Sequence, residues 1–233
     1  EPSTVQGSEI QIAPKKLEKQ VDVIIRETLR EFTSGYIAVD PAATTETYSD
    51  ETAIIVAAIS KEGMVYITQE FHGKWPGNET AKRIIGLTAI IKPRKVGIEF
   101  GLQEHLRYII DNEKSNWEEI NGRPLPLYIE PIKITNRKNK FDRVNWTLGA
   151  FVEEGRVKIH ETCIDLMNQM DHFNKNYSGK DDLVDAAAMI FTIADQFSYR
   201  NYTKEDRPDW EPRSWFTIED LAEKPKARQR FIA

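Results

Sequence analysis

The segment KDDLVDAAAM, residues 180–189, sets three carboxylates at the start of a run of apolar residues. Asp181, Asp182 and Asp185 fall within five positions, and the apolar residues 186–190 follow them directly. The apolar run predicts a buried helix. On that helix Asp182 and Asp185 share a face at i and i+3, and Asp181 and Asp185 share one at i and i+4. A single helical turn can therefore direct at least two carboxylates towards one point.

Two interpretations of these acids stay open on the segment alone. Aspartates at a helix start commonly cap the free backbone amides and favour the helix dipole, which would explain Asp181 and Asp182. Asp185 is harder to explain in this way, because a carboxylate inside an apolar stripe is costly without a partner. The second interpretation is that a positive ion sits among the acids.

The rest of the chain predicts a mixed α/β fold in which helices pack on a sheet. Two strands separated only by Lys61 and Glu62 indicate a hairpin, so the first three strands form an antiparallel meander. Pro131 marks the end or the edge position of the fifth strand. Five strands are predicted at 35–40, 51–60, 63–71, 95–100 and 127–134, with a short extended stretch at 155–160. Helices are predicted at 15–32, 79–91, 102–113, 138–154, 161–173 and from residue 181 onwards.

Two further acids lie at the ends of predicted strands. Asp40 ends the first strand, directly before Pro41, and Glu99 lies near the end of the fourth. A lone Asp after a strand is usually a turn residue. If these strands are parallel neighbours, however, Asp40 and Glu99 lie side by side, where open α/β sheets collect their ligands. Close carboxylates repel one another, and hard divalent cations such as Mg²⁺ relieve that repulsion.

The bulk composition restricts the function classes. The chain has 233 residues, a formal net charge of −5 and one cysteine, Cys163. It contains no apolar run of 18 residues and no signal-peptide pattern at its start, so we expect no membrane span and an intracellular setting. The net charge argues against a surface that coats nucleic acid. Local basic patches at 92–95, 133–143 and 224–230 still allow an enzyme that acts on nucleic acid.

Three segments together resemble the nuclease domain of phage large terminase subunits, which belongs to the ribonuclease H-like superfamily. They are YIAVDPA (36–42), VGIEF (96–100) and KDDLVDAAAM (180–189), in this order. The resemblance implies a ribonuclease H-like, mixed five-stranded sheet flanked by helices. It also implies three regions: a linker with an N-terminal amphipathic helix at 1–34, the nuclease domain at 35–198 and a C-terminal tail at 199–233.

The resemblance also assigns roles to the acids. Asp40, Glu99 and Asp182 look like the catalytic, metal-binding triad of the family, and Asp181 and Asp185 look like its auxiliary acids. Asp182 and Asp185 also match the D-x-x-D pattern of the related RuvC-like resolvases. Such a site would use two Mg²⁺ or Mn²⁺ ions, one to activate water and one to stabilise the leaving oxygen during phosphodiester hydrolysis.

The function implied is a metal-dependent endonuclease that cuts concatemeric viral DNA during genome packaging, in the cytoplasm of the infected bacterial host. Its partners would be double-stranded DNA, the terminase ATPase domain, the small terminase subunit and the portal. No G-x-x-x-x-G-K-[ST] phosphate loop occurs in the sequence, so we expect the ATPase domain to lie outside this chain. Little sequence preference is expected, because phosphate contacts position DNA without reading its bases.

Basic residues supply candidate DNA contacts, although a solvated charged face would look the same. The candidates are Lys74, Lys133, Arg137, Lys138, Lys140 and Arg143. Two rival functions remain at this stage. One is a structure-selective, RuvC-like resolvase, and the other is a catalytically silent module that binds DNA or the portal and whose acids merely cap and solvate.

Overall fold

A computed structural model of the chain describes residues 33–42, 51–99, 104–133, 140–175, 179–194 and 215–216. Its centre is a mixed sheet of seven strands in the order β5-β4-β1-β2-β3-β6-β7. The strands are β1 (Thr33–Asp40), β2 (Thr52–Ser60), β3 (Val65–Gly73), β4 (Lys95–Glu99), β5 (Ile129–Ile132), β6 (Val157–His160) and β7 (Trp215–Phe216).

Helices cover both faces of this sheet. They are α1 (Gly77–Ile91), α2 (Glu104–Asn121), α3 (Lys140–Val144), α4 (Ala150–Glu153), α5 (Ile164–His172) and α6 (Asp182–Ile193). A π-helical segment, Asn145–Gly149, joins α3 to α4. None of the helices in the described ranges combines the length and the hydropathy that a membrane-spanning segment needs.

The predicted antiparallel meander is confirmed. β1 pairs with β2 from Thr33 opposite Ser60 to Asp40 opposite Ala53, and β2 continues into an antiparallel pair with β3. All nine residues of β2 are buried, because it lies in the middle of a sheet that helices cover on both faces. Its continuous apolar sequence, rather than an alternating one, is typical of such a strand.

The parallel pairing that matters for the acids is also present. β4 runs parallel to β1, with Val39 opposite Ile98, and the next residue on each strand is an acid. β5 runs parallel to β4 at the edge of the sheet, where Pro131 loses no ladder hydrogen bond on its free side. The sequence-based expectation that the first and fourth strands are parallel neighbours is therefore confirmed.

Two apolar cores hold the layers together, one on each face of the sheet. On one face α6 packs across β1 and β2, together with the π-helical segment and α5. On the other face α1 and α2 pack on the same strands. Gly97 in β4 lets α6 approach closely, since an added Cβ would lie 2.6 Å from Ile193 Cγ2. The absence of a side chain at Gly97 therefore allows the C-terminal end of α6 to lie directly on β4.

The structure extends the sequence-based picture in three places. The stretch at 155–160 contains a strand, β6, that pairs in parallel with β3. Trp215–Phe216 adds a short antiparallel strand beside β6. Helix α2 continues to Asn121, eight residues beyond its predicted end at 113. Its second half is mostly polar, and the buried Trp117 supplies the apolar anchor that the periodicity did not reveal. The amphipathic helix predicted at 15–32 lies outside the described residues.

Candidate metal centre

Three acids that are remote in sequence converge at the carboxyl ends of β1 and β4. One oxygen from each of Asp40, Glu99 and Asp185 lies within 4.8 Å of the other two. The strands supply Asp40 and Glu99, and the first turn of α6 supplies Asp185, whose residue is only 4% exposed. The arrangement offers oxygen ligands to a single point at an edge where α/β sheets commonly bind ligands.

The environment of this cluster disfavours the ionised form of Asp40. Burial raises the pKa of Asp40 well above its ordinary value, and the charges of Asp185 and Glu99 raise it further. Lys140 opposes these effects, and Asp182 adds the smallest contribution. A carboxyl group in this position gains a proton readily or gains a cation. The cluster therefore has the charge balance expected of a cation site.

The first turn of α6 does not depend on its own acids for capping. The side-chain oxygen Oε1 of Gln169, from α5, accepts the backbone N–H groups of Leu183 at 3.0 Å and Val184 at 3.4 Å. The Asp181 side chain makes no capping hydrogen bond, although Asp181 precedes the helix. The capping interpretation therefore does not account for Asp181, and its carboxylate is left for other partners.

Two basic side chains from α3 lie against the same acids. Lys140 Nζ donates to Asp181 Oδ1 at 2.8 Å and lies 3.1 Å from Asp185 Oδ2. Arg143 Nη2 donates to the other oxygen of Asp185, Oδ1. Burial lowers the pKa of Lys140, but Asp185 and Asp181 outweigh it and raise the pKa above its ordinary value. Both oxygens of Asp185 thus have a cationic partner.

Asp182 has a different environment from Asp185. It is 8% exposed, and its Oδ2 accepts the backbone N–H of Glu51 at 3.3 Å. It lies outside the group of three, whereas the sequence analysis placed Asp182 in the triad and Asp185 among the auxiliary acids. The structure thus groups Asp185 with Asp40 and Glu99, and which of the helix acids bind metal stays a prediction.

A network beside Asp182 was missed by the sequence analysis. Glu51 accepts a hydrogen bond from His72 Nδ1 at 2.7 Å and another from Lys180 Nζ, and His72 Nε2 lies 3.1 Å from Asp165 Oδ2. Burial lowers the pKa of His72, but the hydrogen bonds to Glu51 and Asp165 outweigh it and raise the pKa. The carboxylate at each ring nitrogen thus favours the protonated form of His72.

A signal for this network was present in the sequence. The antiparallel hairpin puts the start of β2 beside the end of β1, so the residue before β2 must lie near Asp40. That residue is Glu51. The same pairing puts the end of β3, and with it His72, at the same edge of the sheet.

The candidate DNA contacts fall into three groups. Lys140 and Arg143 lie against the acid cluster, while Lys74, after β3, and Lys133, after β5, are exposed. Arg137 and Lys138 lie outside the described residues, so the structure places neither of them. The role of all six in DNA binding stays a prediction.

No protein-family profile and no curated protein sequence matches the chain. Three solved structures have similar folds. The large terminase nuclease from thermophilic phage G20c has a TM-score of 0.51 at 12% identity, covering 69% of this chain and 82% of that one. The Mn-soaked, inhibitor-bound human cytomegalovirus terminase nuclease domain has a TM-score of 0.44 at 14% identity, covering 76% and 92%. T. thermophilus RuvC in complex with a Holliday junction substrate has a TM-score of 0.33 at 13% identity, covering 68% and 91%.

Of these three structures, the phage G20c nuclease has a TM-score above 0.5, which indicates a similar fold. The chain therefore has a mixed α/β fold similar to that of the phage G20c large terminase nuclease, as its sequence motifs predicted.

Proposed function

We propose that this chain is a metal-dependent DNA endonuclease of the large-terminase type. The observation that carries the proposal is the convergence of Asp40, Glu99 and Asp185 within 4.8 Å on a fold similar to that of a terminase nuclease. A silent binding module whose acids merely cap and solvate would have no need to bring three carboxylates from β1, β4 and α6 together. Their mutual repulsion would only destabilise it.

The residues fit hard divalent ions. Every ligand that the cluster offers is a carboxylate oxygen, the donor that Mg²⁺ and Mn²⁺ prefer. Burial first, and then the negative charges of Asp185 and Glu99, raise the pKa of Asp40, and a bound cation would offset both effects. Asp40, Glu99 and Asp185 would hold one ion, and Asp40 with Asp182 or Asp181 would hold a second. Two ions, when bound, supply an activated water and stabilisation of the leaving oxygen.

The protein's own residues would orient the substrate. The acids lie at the edge of the sheet, and the candidate contacts Lys74 and Lys133 are exposed after β3 and β5. Basic side chains of this kind would bind the phosphate backbone without contacting the base edges, which supports cutting with little sequence preference. The proposed substrate is double-stranded DNA.

The proposed biological role is cleavage of DNA during viral genome packaging. By resemblance, the nuclease would act in the infected bacterial cytoplasm on concatemeric viral DNA, together with an ATPase domain, a small terminase subunit and the portal. The D-x-x-D spacing of Asp182 and Asp185 favours one second candidate, a resolvase that cuts branched DNA. A four-way junction and a linear duplex of equal length distinguish the two, since the terminase-type enzyme should cut both at similar rates.

Nicking of supercoiled plasmid tests the proposed activity. We expect the wild type to nick plasmid with Mn²⁺ and not with EDTA, and Asp40→Asn to nick about 100-fold more slowly. Asp111→Asn is the matched control, because Asp111 is an exposed acid on α2 and the change removes the same charge. Equal nicking by wild type and Asp40→Asn would show that the cluster is not the nuclease site.

A further inference from the structure

The two cations of α3 occupy the ligand atoms of the proposed metal centre. Arg143 bonds Asp185 Oδ1, and Lys140 lies 3.1 Å from Asp185 Oδ2 while also bonding Asp181. Asp185 therefore presents no oxygen without a cationic partner. A divalent ion that binds through Asp185 must approach an oxygen that Lys140 or Arg143 already contacts, and the like charges repel one another.

The geometry of α3 makes this competition reversible. Lys140 and Arg143 are i and i+3 on one face of a five-residue helix, and their side chains are 31% and 27% exposed. Long side chains with their charged ends near water can turn outward through their own rotatable bonds. Asp185, in contrast, is almost fully buried on α6 and is fixed in place. The cations can leave the pairs, and the acid cannot.

We propose that Lys140 and Arg143 are displaceable counter-ions that couple metal binding to DNA binding. Without a divalent ion they neutralise Asp185 and Asp181. When an ion binds among Asp40, Glu99 and Asp185, the two side chains are released and contact backbone phosphates of the substrate. The inference rests on the proposed metal-dependent nuclease and adds to it a reciprocal linkage, since each ligand then favours the other.

This coupling differs from a fixed structural role. If Lys140 and Arg143 stayed on the acids with metal bound, they would contribute no new phosphate contact when metal binds. If they were displaced, the number of phosphate contacts would rise by two. The salt dependence of DNA affinity counts such contacts, because log K falls with log salt at a slope of about −0.9 for each neutralised phosphate.

The first measurement is Mn²⁺ affinity by calorimetry in the absence of DNA. The test variant is Lys140→Gln with Arg143→Gln. The control is Lys61→Gln with Arg94→Gln, which removes the same charge at the far ends of β2 and β4. We expect the test variant to bind Mn²⁺ about tenfold more tightly than wild type and the control to match wild type. Equal or weaker binding by the test variant would overturn the inference.

The second measurement is the salt dependence of duplex DNA binding in EDTA and in Ca²⁺, with Ca²⁺ as an ion chosen to occupy the site without turnover. Free Ca²⁺ screens the DNA equally for every variant. When Ca²⁺ replaces EDTA, the slope of log K against log salt should become steeper in wild type. It should steepen by about 1.8 more in wild type than in the test variant. The control pair should gain as much as wild type. An identical change of slope in wild type and test variant would overturn the inference.

Failure of this inference can be told apart from failure of the proposed function. If neither wild type nor any variant binds Mn²⁺, the proposed metal centre is wrong, and the coupling is therefore wrong as well. If wild type binds Mn²⁺ and nicks plasmid while the test variant shows neither tighter binding nor the altered slope, only the coupling is wrong. Arg143→Lys keeps the charge and should retain most of the slope change, which guards against a variant that simply misfolds.

Discussion

Asp40 occupies the most crowded position of the acid cluster, between the acids of β4 and α6. Burial raises its pKa well above the ordinary value, and Asp185 and Glu99 add to the rise. A raised pKa means that the folded state binds this proton more tightly than the unfolded chain does. Stability from that difference is fully present below the unfolded pKa near 3.8 and is lost as the pH rises through the folded pKa. At neutral pH the metal-free cluster is therefore destabilising.

Replacing Asp40 by Asn should accordingly stabilise the metal-free protein. In EDTA at pH 7 we expect a higher free energy of unfolding for Asp40→Asn than for wild type. The difference should be smaller at pH 3.5, where protons bind to most of this group even in the unfolded chain. Free Mn²⁺ at 100 times its Kd should stabilise wild type by about 2.7 kcal/mol and leave the variant unchanged. Denaturant unfolding measures both effects. A variant that is less stable in EDTA at pH 7, or equally stabilised by Mn²⁺, would contradict this account.

Asp185 and Asp182 should differ as metal ligands. Because Asp185 groups with Asp40 and Glu99 while Asp182 accepts the Glu51 amide, Asp185→Asn should weaken Mn²⁺ binding more than Asp182→Asn does. We expect a loss of about 100-fold for the first and about tenfold for the second. Calorimetric titration of the two variants gives the order. The reverse order would favour the triad that the sequence motifs suggested.

The sequence could predict Asp40 and Glu99 because each ends a strand, and strand ends are visible in the pattern. It could not choose between Asp182 and Asp185. That choice depends on the rotation of α6 about its axis, which is set by tertiary contacts of the helix with the sheet and with Gln169. Helical periodicity gives the shared face of the acids but not the direction in which that face points.

At the scale of elements, Glu70 connects β3 to the start of α5. Its Oε1 accepts the N–H of Asp165 at 2.9 Å and its Oε2 the N–H of Leu166 at 2.7 Å. A carboxylate in this position complements the positive end of the helix dipole. Burial nevertheless dominates and raises the pKa of Glu70 to about 7. The sheet and the helix are thus joined by a group that titrates near neutral pH.

Replacing Glu70 by Gln should change the pH dependence of stability. The raised pKa of Glu70 contributes stability that is present below about 4.5 and is lost as the pH rises through about 7. Wild type should therefore lose stability relative to Glu70→Gln between pH 4.5 and pH 8, by at most about 3 kcal/mol. Loss of a capping hydrogen bond should lower the free energy of unfolding of Glu70→Gln by about 1 kcal/mol at every pH. Urea unfolding across this range tests the trend, and parallel curves for the two proteins would show that Glu70 does not titrate there.

Gly97 controls how closely α6 lies on the sheet. A Cβ at this position would lie 2.6 Å from Ile193 Cγ2 and 2.9 Å from Ile132 Cδ1, distances at which something must move. We expect Gly97→Val to lower the free energy of unfolding by about 1–3 kcal/mol. Because α6 carries Asp185, the displaced helix should also bind Mn²⁺ more weakly.

The matched control for that substitution is Gly35→Ala, at the far end of β1. An added Cβ there would lie 3.2 Å from Ile91 Cγ2, on α1. This change should cost some stability and leave Mn²⁺ affinity as in wild type. If Gly97→Val kept full Mn²⁺ affinity, the packing of α6 would not set the geometry of the centre.

The elements themselves were largely predictable, because buried strands and a hairpin leave clear patterns. β2 appears as a continuous apolar run and β4 as a short one before an acid. The missing parts depend on long-range pairing. β6 is a strand because it pairs with β3, and Trp215–Phe216 is one because it pairs with β6. Four residues or fewer carry too little periodicity to indicate such pairing by themselves.

At the scale of the whole molecule, the candidate metal centre lies where three parts of the chain that are distant in sequence meet. The meander supplies Asp40, the parallel half of the sheet supplies Glu99 and the late helix supplies Asp185. An ion bound there would link β1, β4 and α6, so its binding would stabilise the fold as a unit. The formal net charge of −5 would not oppose DNA binding at this end of the sheet if divalent cations and local basic residues set the potential there, as proposed.

Anomalous diffraction from Mn²⁺-soaked crystals tests the central claim most directly, because it locates the ion without relying on activity. We expect a Mn²⁺ peak about 2 Å from oxygens of Asp40, Glu99 and Asp185, with the side chains of Lys140 and Arg143 both turned away from Asp185. A well-ordered cluster with no Mn²⁺ peak between these three acids, at Mn²⁺ concentrations that support plasmid nicking, would contradict it.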